Sequence, residues 1–332
     1  IDEEHGVIDK GNFIDLFIKP RISSKDLKYF SALFCWGNYD YQKFINFFKE
    51  KKFYLTGSPR VDLWKKKFAS IWKLKKSRKK NVLIISNFSF SNNLYSLSEI
   101  IKRKNKEGYY KRSPKLKKQE INYYKYQKKL MFKFIDLIGY LSKKLKNKNI
   151  IFRPHPTENV QFWIDKLKRF KNVKIVQKGI LSPLIHESEV IVQNGCTSSL
   201  EAFISNKKVI DFNPIKNKGN KFGEFTKEFS IIAKTNKQVL DEISSKTIKN
   251  TQKKQKKVNN RMVFLDKHLS SQKIVKIWQK LIPKNYSFNS NNHLKIRLIL
   301  FYYDFINYYI TLAILTLKRK YYLKKIIFHK FS

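Results

Sequence analysis

Short apolar runs alternate with helix-forming segments along most of this chain, and this alternation constrains the fold more than any other feature. The runs at 81–86, 149–153, 190–193 and 208–212 are rich in Val and Ile and have the length of strands buried on both faces. Segments with apolar residues at helical spacing separate them. Strands that alternate with helices predict an α/β fold with parallel, Rossmann-like sheets.

The 332 residues are enough for two domains. We predict that 1–58 is the remainder of a first Rossmann-like domain, that 59–80 is a hinge and linker, and that 81–260 is a second Rossmann-like domain. Residues 261–332 are interpreted as a helical tail rich in basic and aromatic residues. Because the chain opens on Ile1 and an acidic motif follows at once, the first domain is expected to be truncated.

The charge balance is strongly basic. Lysine and arginine together number 71 against 25 acidic residues, which gives a formal net charge of +46. Such a balance is typical of proteins that bind nucleic acid or anionic membranes. Only ten of the 71 basic residues are arginine, the residue that sequence-specific nucleic-acid readers favour. The chain is also rich in residues with A/T-rich codons, so genome composition is the first explanation of the charge and attraction to a membrane surface is the second.

One histidine lies in an unusually stiff position. His155 stands between Pro154 and Pro156 at the end of a predicted strand. Each proline fixes its own φ and pushes the preceding residue towards extended geometry, so the imidazole is held in one direction. A phosphate bound there would gain from a donor imidazole and from the N–H groups of the helix that follows. The alternative interpretation is a turn histidine that makes a local backbone bond.

Polar residues also follow other predicted strands, at the edge where open α/β sheets bind ligands. The candidates at this edge are Asn87, Asn194, Gly195, Thr197, Ser198 and Ser199. The hydroxyls after Gly195 can cap a helix and hold a phosphate or a sugar carboxylate. An ordinary helix cap is the alternative. Cys196, within this loop, is interpreted as a small filler rather than a nucleophile, because no histidine lies close in sequence to support it.

Two further motifs have less specific signals. Asp2, Glu3 and Glu4 precede Gly6; such acids usually lie in a solvated loop, but a general base acting on a sugar hydroxyl would also require them. The turn that begins at Gly57 is interpreted as an interdomain hinge, in which Asp62 pairs with Arg60 or caps the next helix. Two cysteines exclude a disulfide scaffold and a structural zinc cluster.

The tail contains a mostly apolar run at 298–317, flanked by lysine and arginine. Its length would allow it to span a bilayer. Asp304, Asn307 and Thr311, however, recur on one helix face, and several tyrosine hydroxyls would lack partners at mid-membrane depth. An amphipathic helix at the membrane interface fits better, with a helix packed on the fold and a spanning helix as the alternatives.

Taken together, these motifs resemble one family. In chain order they are an Asp-Glu-Glu motif before a glycine, a Trp-Gly strand end, Thr-Gly-Ser-Pro-Arg-Val-Asp, Arg-Pro-His-Pro-Thr-Glu-Asn and Asn-Gly-Cys-Thr-Ser-Ser-Leu-Glu-Ala. They resemble the bacterial surface carbohydrate (surface polysaccharide) biosynthesis proteins, which are similar to GT-B glycosyltransferases. The resemblance covers about residues 1–215 and is most specific at 151–202.

Within that class, a His-Pro pair with a hydroxyl-rich loop is similar to the sialyltransferases and Kdo transferases that use CMP-activated sugars. It is also similar to the CDP-glycerol glycerophosphotransferases. The resemblance implies that the His155-Pro156 pair contacts the donor phosphate. It further implies that Ser198 and Ser199 assist and that Glu201 faces the nucleotide ribose. The catalytic acids of the CMP-sugar enzymes correspond most nearly to Glu3 or Glu4, although His5 intervenes before the glycine.

The expected function is therefore the metal-independent transfer of a sugar from a nucleotide donor, CMP-linked and of the Kdo or sialic-acid type, to a surface glycan or lipid-linked acceptor. No cofactor is expected, and 81–260 would be the domain that binds the nucleotide sugar. The alternatives are polyol-phosphate transfer from CDP-glycerol, a basic nucleic-acid-binding protein and a non-catalytic assembly protein. The expected location is cytoplasmic, at the inner face of the cell membrane, with the tail on its anionic surface.

Overall fold

The computed structural model describes residues 26–49, 52–72, 80–108, 110, 114–215, 224–245, 252–263 and 269–282. The chain divides into two compact units, Ile1–Ile277 and Trp278–Ser332. All the described strands belong to the first unit, and of the second unit only 278–282 are described. The acids Asp2, Glu3 and Glu4 and the tail run at 298–317 lie outside the described residues, so the roles predicted for them stay predictions.

A small parallel pair of strands comes first. Strand β1 (Leu33–Cys35) pairs with β2 (Phe53–Leu55), and helix α1 (Asn38–Phe48) connects them. Phe44 of α1 stacks on Phe53 of β2 with 5.2 Å between the ring centroids. Aromatic pairs at such a distance contribute beyond the area that they bury.

The larger sheet has six strands in the order β5-β4-β3-β6-β7-β8, and all its neighbours are parallel. Its strands are β3 (Asn81–Ile85), β4 (Asn149–Arg153), β5 (Val173–Ile175), β6 (Ser188–Gln193), β7 (Lys208–Phe212) and β8 (Ile231–Ala233). Strand β3 is buried at every residue, as expected for a central parallel strand with helices on both faces. The predicted α/β fold with parallel, Rossmann-like sheets is confirmed.

Helices cover both faces of this sheet. They are α2 (Pro59–Trp64), α3 (Leu97–Lys106), α4 (Pro114–Lys144), α5 (Val160–Leu167), α6 (Ser182–Glu187), α7 (Ser198–Ile204), α8 (Glu224–Lys227), α9 (Asn236–Ser244), α10 (Gln252–Arg261) and α11 (Ser270–Leu281). Side chains alternate between the faces of a strand. Val82 and Ile84 of β3 accordingly join the core under α4, α5 and α9, and Leu83 and Ile85 join the core under α2, α6, α7 and α10.

The strand order creates a topological switch point between β3 and β6. From β3 the chain proceeds outward through β4 to β5, and it then returns to place β6 on the other side of β3. The loops that leave β3 and β6 therefore diverge at the carboxyl ends of two adjacent strands. In open α/β sheets, ligands bind in the crevice outside such a point.

The small strand pair is tied to later parts of the chain. The backbone N–H of Val263 donates to the carbonyl of Trp36 at 2.8 Å. Gly37 lies so close to α10 that a Cβ atom there would be 2.1 Å from the carbonyl oxygen of Arg261. Only glycine fits at this close approach.

Asp62 forms the second of these ties. It was predicted to pair with Arg60 or to cap the next helix, and both predictions are wrong. Its carboxylate instead accepts from the backbone N–H groups of Ser270 (3.1 Å) and Ser271 (3.0 Å), at the first turn of α11. A carboxylate at that position satisfies donors that have no partner within the helix. The helix begins more than 200 residues along the chain, so local spacing could not reveal it.

The described part of 216–260 contains α8, β8, α9 and α10. Strand β8 has three residues, too few for a periodic signal. Helix α4 begins at Pro114, within a lysine-rich stretch. No described helix is both long and apolar enough to cross a membrane.

Candidate functional site

A hydrogen bond joins the two loops at the switch point. The backbone N–H of Asn87, just after β3, donates to Oδ1 of Asn194, just after β6, at 2.9 Å. The oxygen of the Asn194 amide is used in this bond, which leaves its Nδ2 group to donate to a ligand. Gly195 follows with φ of 78°, a left-handed conformation that favours glycine and turns the chain towards α7. Both predicted residues, Asn87 and Asn194, therefore lie together at the expected edge.

Glu158 organises the neighbouring strand end, and sequence reasoning missed it. Its carboxylate is 3% exposed and accepts from the backbone N–H groups of Phe88 (2.8 Å) and His155 (3.2 Å). It also accepts from the hydroxyl of Ser86 (2.9 Å) and from Nε1 of Trp163 (2.7 Å). One buried side chain thus holds the loops after β3 and β4 in a fixed relation. The signal was present in the sequence, as an acidic residue beside the His-Pro pair with a tryptophan five residues later.

His155 is half-buried at the end of β4, with its ring fixed by a local bond. Nδ1 lies 2.9 Å from the hydroxyl of Thr157 and accepts from the Thr157 backbone N–H at 3.3 Å. The local backbone bond that we considered as an alternative is therefore present. It does not exclude a ligand role, because a neutral ring that accepts at Nδ1 carries its proton on Nε2. Pro156 is exposed.

Helix α5 does not begin directly at the histidine. Its cap is Asn159, whose Oδ1 accepts from the backbone N–H of Gln161 at 3.1 Å. A turn closed by the N–H of Glu158 on the carbonyl of His155, at 2.9 Å, separates the histidine from the helix that follows it.

The hydroxyl-rich loop is largely satisfied within itself. Ser199 is fully buried and donates to the carbonyl of Cys196 at 2.5 Å. Ser198 accepts from Sγ of Cys196 at 3.2 Å, and Thr197 is exposed without capping α7 through its side chain. Burial raises the pKa of the Cys196 thiol, in agreement with its interpretation as a filler.

Glu201 lies on α7 and is 5% exposed. Its carboxylate accepts from the hydroxyl of Ser182 in α6, and burial raises its pKa. In this arrangement its described partner is a neighbouring helix. The roles in donor binding predicted for Ser198, Ser199 and Glu201 stay predictions.

A pocket opens beside the switch point, on the face of the sheet that α4 covers. Its polar lining consists of Tyr126, Gln127, Asn194, Asp211, Asn213 and Lys227, and we call it the Tyr126 pocket. It is partly open to solvent and its cavity volume is about 30 Å³, which is enough for one or two hydroxyl groups or water molecules. Gly195 also lines it, so the pocket adjoins the loop that bonds to Asn87.

Asp211 is the titratable group at the base of this pocket. It is 2% exposed, and burial raises its pKa to about 6, although hydrogen bonds from Gln193 and Thr226 and the charge of Lys227 oppose the shift. Burial, with a smaller contribution from Asp211, likewise raises the pKa of Tyr126 to about 12. Perturbed groups that share a pocket are typical of functional sites. Sequence reasoning missed Asp211 because it lies inside an apolar strand, although an acid in a buried strand is itself a signal.

Arg153 fixes another loop at this edge. Its guanidinium is 8% exposed and donates to the carbonyls of Val176 (3.0 Å), Lys178 (2.9 Å) and Gly179 (2.6 Å), which lie after β5. Three charge-assisted bonds from one planar group define the loop geometry. The described part of the chain contains no cluster of three or more His, Cys, Asp or Glu residues that could hold a metal ion.

The sheet defines the class of this unit, a parallel α/β domain with a topological switch point between β3 and β6. No protein-family model matches the chain, and no curated protein matches it. Among solved structures it is similar to a variant of the wall teichoic acid polymerase TagF soaked with CDPG, at 15% identity and a TM-score of 0.47, with 78% of this chain and 58% of that chain covered.

Two further similar structures are UDP-GlcNAc 2-epimerase from Methanocaldococcus jannaschii and S. aureus MnaA with UDP. The first has 17% identity and a TM-score of 0.46, with 75% of this chain and 62% of that chain covered. The second has 13% identity and a TM-score of 0.45, with coverages of 78% and 62%. The chain spans about three fifths of the length of these structures.

Proposed function

We propose that this chain is a glycosyltransferase of the GT-B type that binds a cytidine nucleotide donor at the switch-point crevice and transfers its sugar to a surface polysaccharide. The observation that carries the proposal is the Asn87–Asn194 bridge, which leaves Nδ2 of Asn194 as a donor at the carboxyl end of β6. Nε2 of His155 supplies a second donor at the end of β4. Because β4 and β6 flank β3, both donors lie at the same carboxyl edge of the sheet.

In the proposed reaction, the oxygen of an acceptor hydroxyl attacks the anomeric carbon of the donor sugar. The bond between that carbon and the phosphate oxygen breaks, and the leaving nucleotide takes the electron pair. Donor groups at His155 and Asn194 stabilise the charge that develops on the phosphate. The acceptor proton passes to a carboxylate, for which Asp2, Glu3 and Glu4 are the candidates.

Polyol-phosphate transfer from CDP-glycerol is the neighbouring possibility, and it uses the same crevice. The acceptor hydroxyl would then attack the β-phosphorus, and CMP would leave. In both reactions a cytidine nucleotide must bind beside His155. The identity of the nucleotide therefore tests the proposal before the transferred group is known.

The test is calorimetric titration of CMP, CDP, UDP and GDP into the wild-type protein, His155→Ala and the control His186→Ala. His186 lies on α6, at the opposite, amino-terminal edge of β6. We expect cytidine nucleotides to bind best and His155→Ala to weaken them by about 10- to 150-fold, the value of a hydrogen bond to a charged group. The melting temperature of His155→Ala should stay close to that of the wild type.

Equal affinities for His155→Ala and wild type would remove the histidine from the site. Preference for a uridine or guanosine nucleotide would contradict the cytidine donor while keeping the crevice. If none of the four nucleotides binds the wild-type protein, the proposed function is wrong.

A further inference from the structure

The Tyr126 pocket contains a buried polar atom that the described structure leaves without a partner. Gln127 is 4% exposed, and its Nε2 group donates to the carbonyl of Asn87 (3.1 Å) and to the hydroxyl of Tyr123 (2.8 Å). Its Oε1 atom is buried and accepts no hydrogen bond. Buried polar atoms are almost always paired in folded proteins. Since Gln127 lines the pocket, a ligand that offers a donor would satisfy Oε1.

The rest of the lining combines acceptors with donors. The carboxylate of Asp211 and Oδ1 of Asn213, to which Tyr126 donates at 3.4 Å, are acceptors. The ammonium of Lys227 is a donor. A phosphate offers acceptors alone, so Oε1 of Gln127 would remain unsatisfied and the Asp211 carboxylate would repel it. Hydroxyl groups both donate and accept, and they suit the whole set.

The aromatic rings around the pocket agree with such a ligand. Tyr123 and Tyr126 lie on one face of α4, with 6.3 Å between their ring centroids and 21° between their planes. Their side chains line the pocket together with Leu130. The carbon skeleton of a sugar or polyol can pack against these apolar surfaces while its hydroxyls reach the amides and the carboxylate.

We infer that hydroxyl groups of the polyhydroxylated part of the donor, a sugar or a polyol, enter the Tyr126 pocket from its open side and are recognised there by Gln127, Asp211 and Tyr126. This inference rests on the proposed function for the identity of the carrier nucleotide. Asn194 lies between the phosphate subsite at the crevice and the hydroxyl subsite in the pocket, because it lines the pocket and its Oδ1 atom bonds to Asn87 at the crevice. Phosphate contacts lie at the crevice and hydroxyl contacts in the pocket.

The test compares each donor with its own nucleotide. Affinities of CDP-glycerol and CDP, and of CMP-N-acetylneuraminic acid and CMP, are measured by calorimetry on wild type, Tyr126→Phe and Asp211→Asn. The control is Tyr124→Phe, a neighbouring position on α4 that does not line the pocket. For one of the two pairs, we expect the wild type to bind the full donor more tightly. The advantage should fall about 3- to 10-fold in both pocket variants, the size of one neutral hydrogen bond.

Binding of the bare nucleotide should be unchanged in all variants, and Tyr124→Phe should match the wild type throughout. An effect with CMP-N-acetylneuraminic acid and CMP identifies the bound group as a sugar, and an effect with CDP-glycerol and CDP identifies it as a polyol. If nucleotides bind but neither donor is preferred, or if the preference survives in Tyr126→Phe and Asp211→Asn, the pocket inference is overturned and the proposed function stands.

A second measurement separates failure of the proposed function from failure of the pocket. Saturation-transfer NMR detects weak binding of free N-acetylneuraminic acid and glycerol 3-phosphate at millimolar concentration. If no nucleotide binds, but one of these ligands shows transfer that Tyr126→Phe abolishes and Tyr124→Phe preserves, the pocket stands and the nucleotide proposal falls. If neither nucleotides nor free ligands bind, both are overturned.

Discussion

Asn87 and Asn194 are 107 residues apart in sequence, yet the backbone N–H of the first donates to Oδ1 of the second at 2.9 Å. The bond uses a main-chain group of one loop and half of a side-chain amide of the other. It therefore fixes the loops after β3 and β6 against each other without using the remaining half of the amide. One side chain thus stabilises the sheet edge and, in the proposed function, also binds the donor.

These two roles of Asn194 can be separated by substitution. Asn194→Asp keeps an acceptor for the Asn87 N–H but replaces the Nδ2 donor with a negative charge. We expect its free energy of unfolding to stay within about 0.5 kcal/mol of the wild type, while the affinity for cytidine nucleotides falls tenfold or more. Asn194→Ala should instead lose about 1–2 kcal/mol of stability, because a partly buried N–H loses its partner. Equal stability losses in urea titrations of the two variants would contradict the bridge.

Glu158 should dominate the stability of the β3 and β4 loops. Glu158→Ala removes the acceptor of two backbone N–H groups and of the Trp163 indole. Each buried donor left unsatisfied costs about 1–3 kcal/mol, so we expect a loss of about 3 kcal/mol or more in urea unfolding. Trp163 fluorescence should change in the folded state. The control is Glu107→Ala, which removes an exposed pair with Arg103 and should cost under about 0.5 kcal/mol. Similar losses in both variants would show that Glu158 is not the anchor.

Asp211 should make stability depend on pH. Its pKa is raised from 3.8 to about 6 in the folded protein, so the folded state binds the proton more tightly than the unfolded chain. The free energy of unfolding should therefore fall as pH rises from about 4 to 6, by up to roughly 3 kcal/mol for two pH units. Asp211→Asn should flatten that part of the profile. Urea titrations between pH 4 and 8 measure it, and parallel profiles for the two proteins would contradict the prediction.

Asp40 adds a second decline in the free energy of unfolding as pH rises, because burial raises its pKa to about 7. Its contribution persists in Asp211→Asn and extends to higher pH. The difference between the two profiles isolates Asp211, whereas the wild-type profile alone would not. A double variant with Asp40→Asn should be flatter still.

Gly37→Ala should loosen the small strand pair from α10. The new Cβ would lie 2.1 Å from the carbonyl oxygen of Arg261, a backbone atom that cannot move without displacing the helix. Overpacking of this kind costs about 1–3 kcal/mol, and limited proteolysis should cut the first strands sooner. Gly139→Ala is the matched control, since its Cβ meets the mobile end of the Phe170 ring and an alanine favours the helix. Equal stability of both variants would show that the close approach is not needed.

The sequence predicted those strands whose burial leaves a strong apolar signal, such as β3, β4, β6 and β7. It also predicted that Asn87 and Asn194 lie at the ligand edge, because polar residues directly after buried parallel strands must meet there. It could not predict that they bond to each other. A hydrogen bond between residues 107 positions apart depends on which strands are neighbours in the sheet. The apolar runs in the sequence do not determine that strand order.

The sequence did not predict one of the strands or the roles of three acidic residues. Strand β8, at Ile231–Ala233, is too short for a period. Glu158 appeared as the polar end of the His-Pro motif, since nothing in the sequence shows that its carboxylate turns inward to Trp163. Asp62 acts on a helix that begins at Ser270, and Asp211 was hidden inside an apolar run. For these three acidic residues the missing information was a tertiary contact.

The close packing of Gly37 on Arg261, with the bond from Val263 to Trp36, also bears on how the chain is made. Strands β1 and β2 end in a surface whose counterpart is encoded more than 200 residues later. Until that segment has been synthesised, the strand pair lacks the backbone that covers its end. Translation therefore delivers the strands of the larger sheet before it delivers the segment that covers β1 and β2, and the nascent chain must keep these two strands soluble in the meantime.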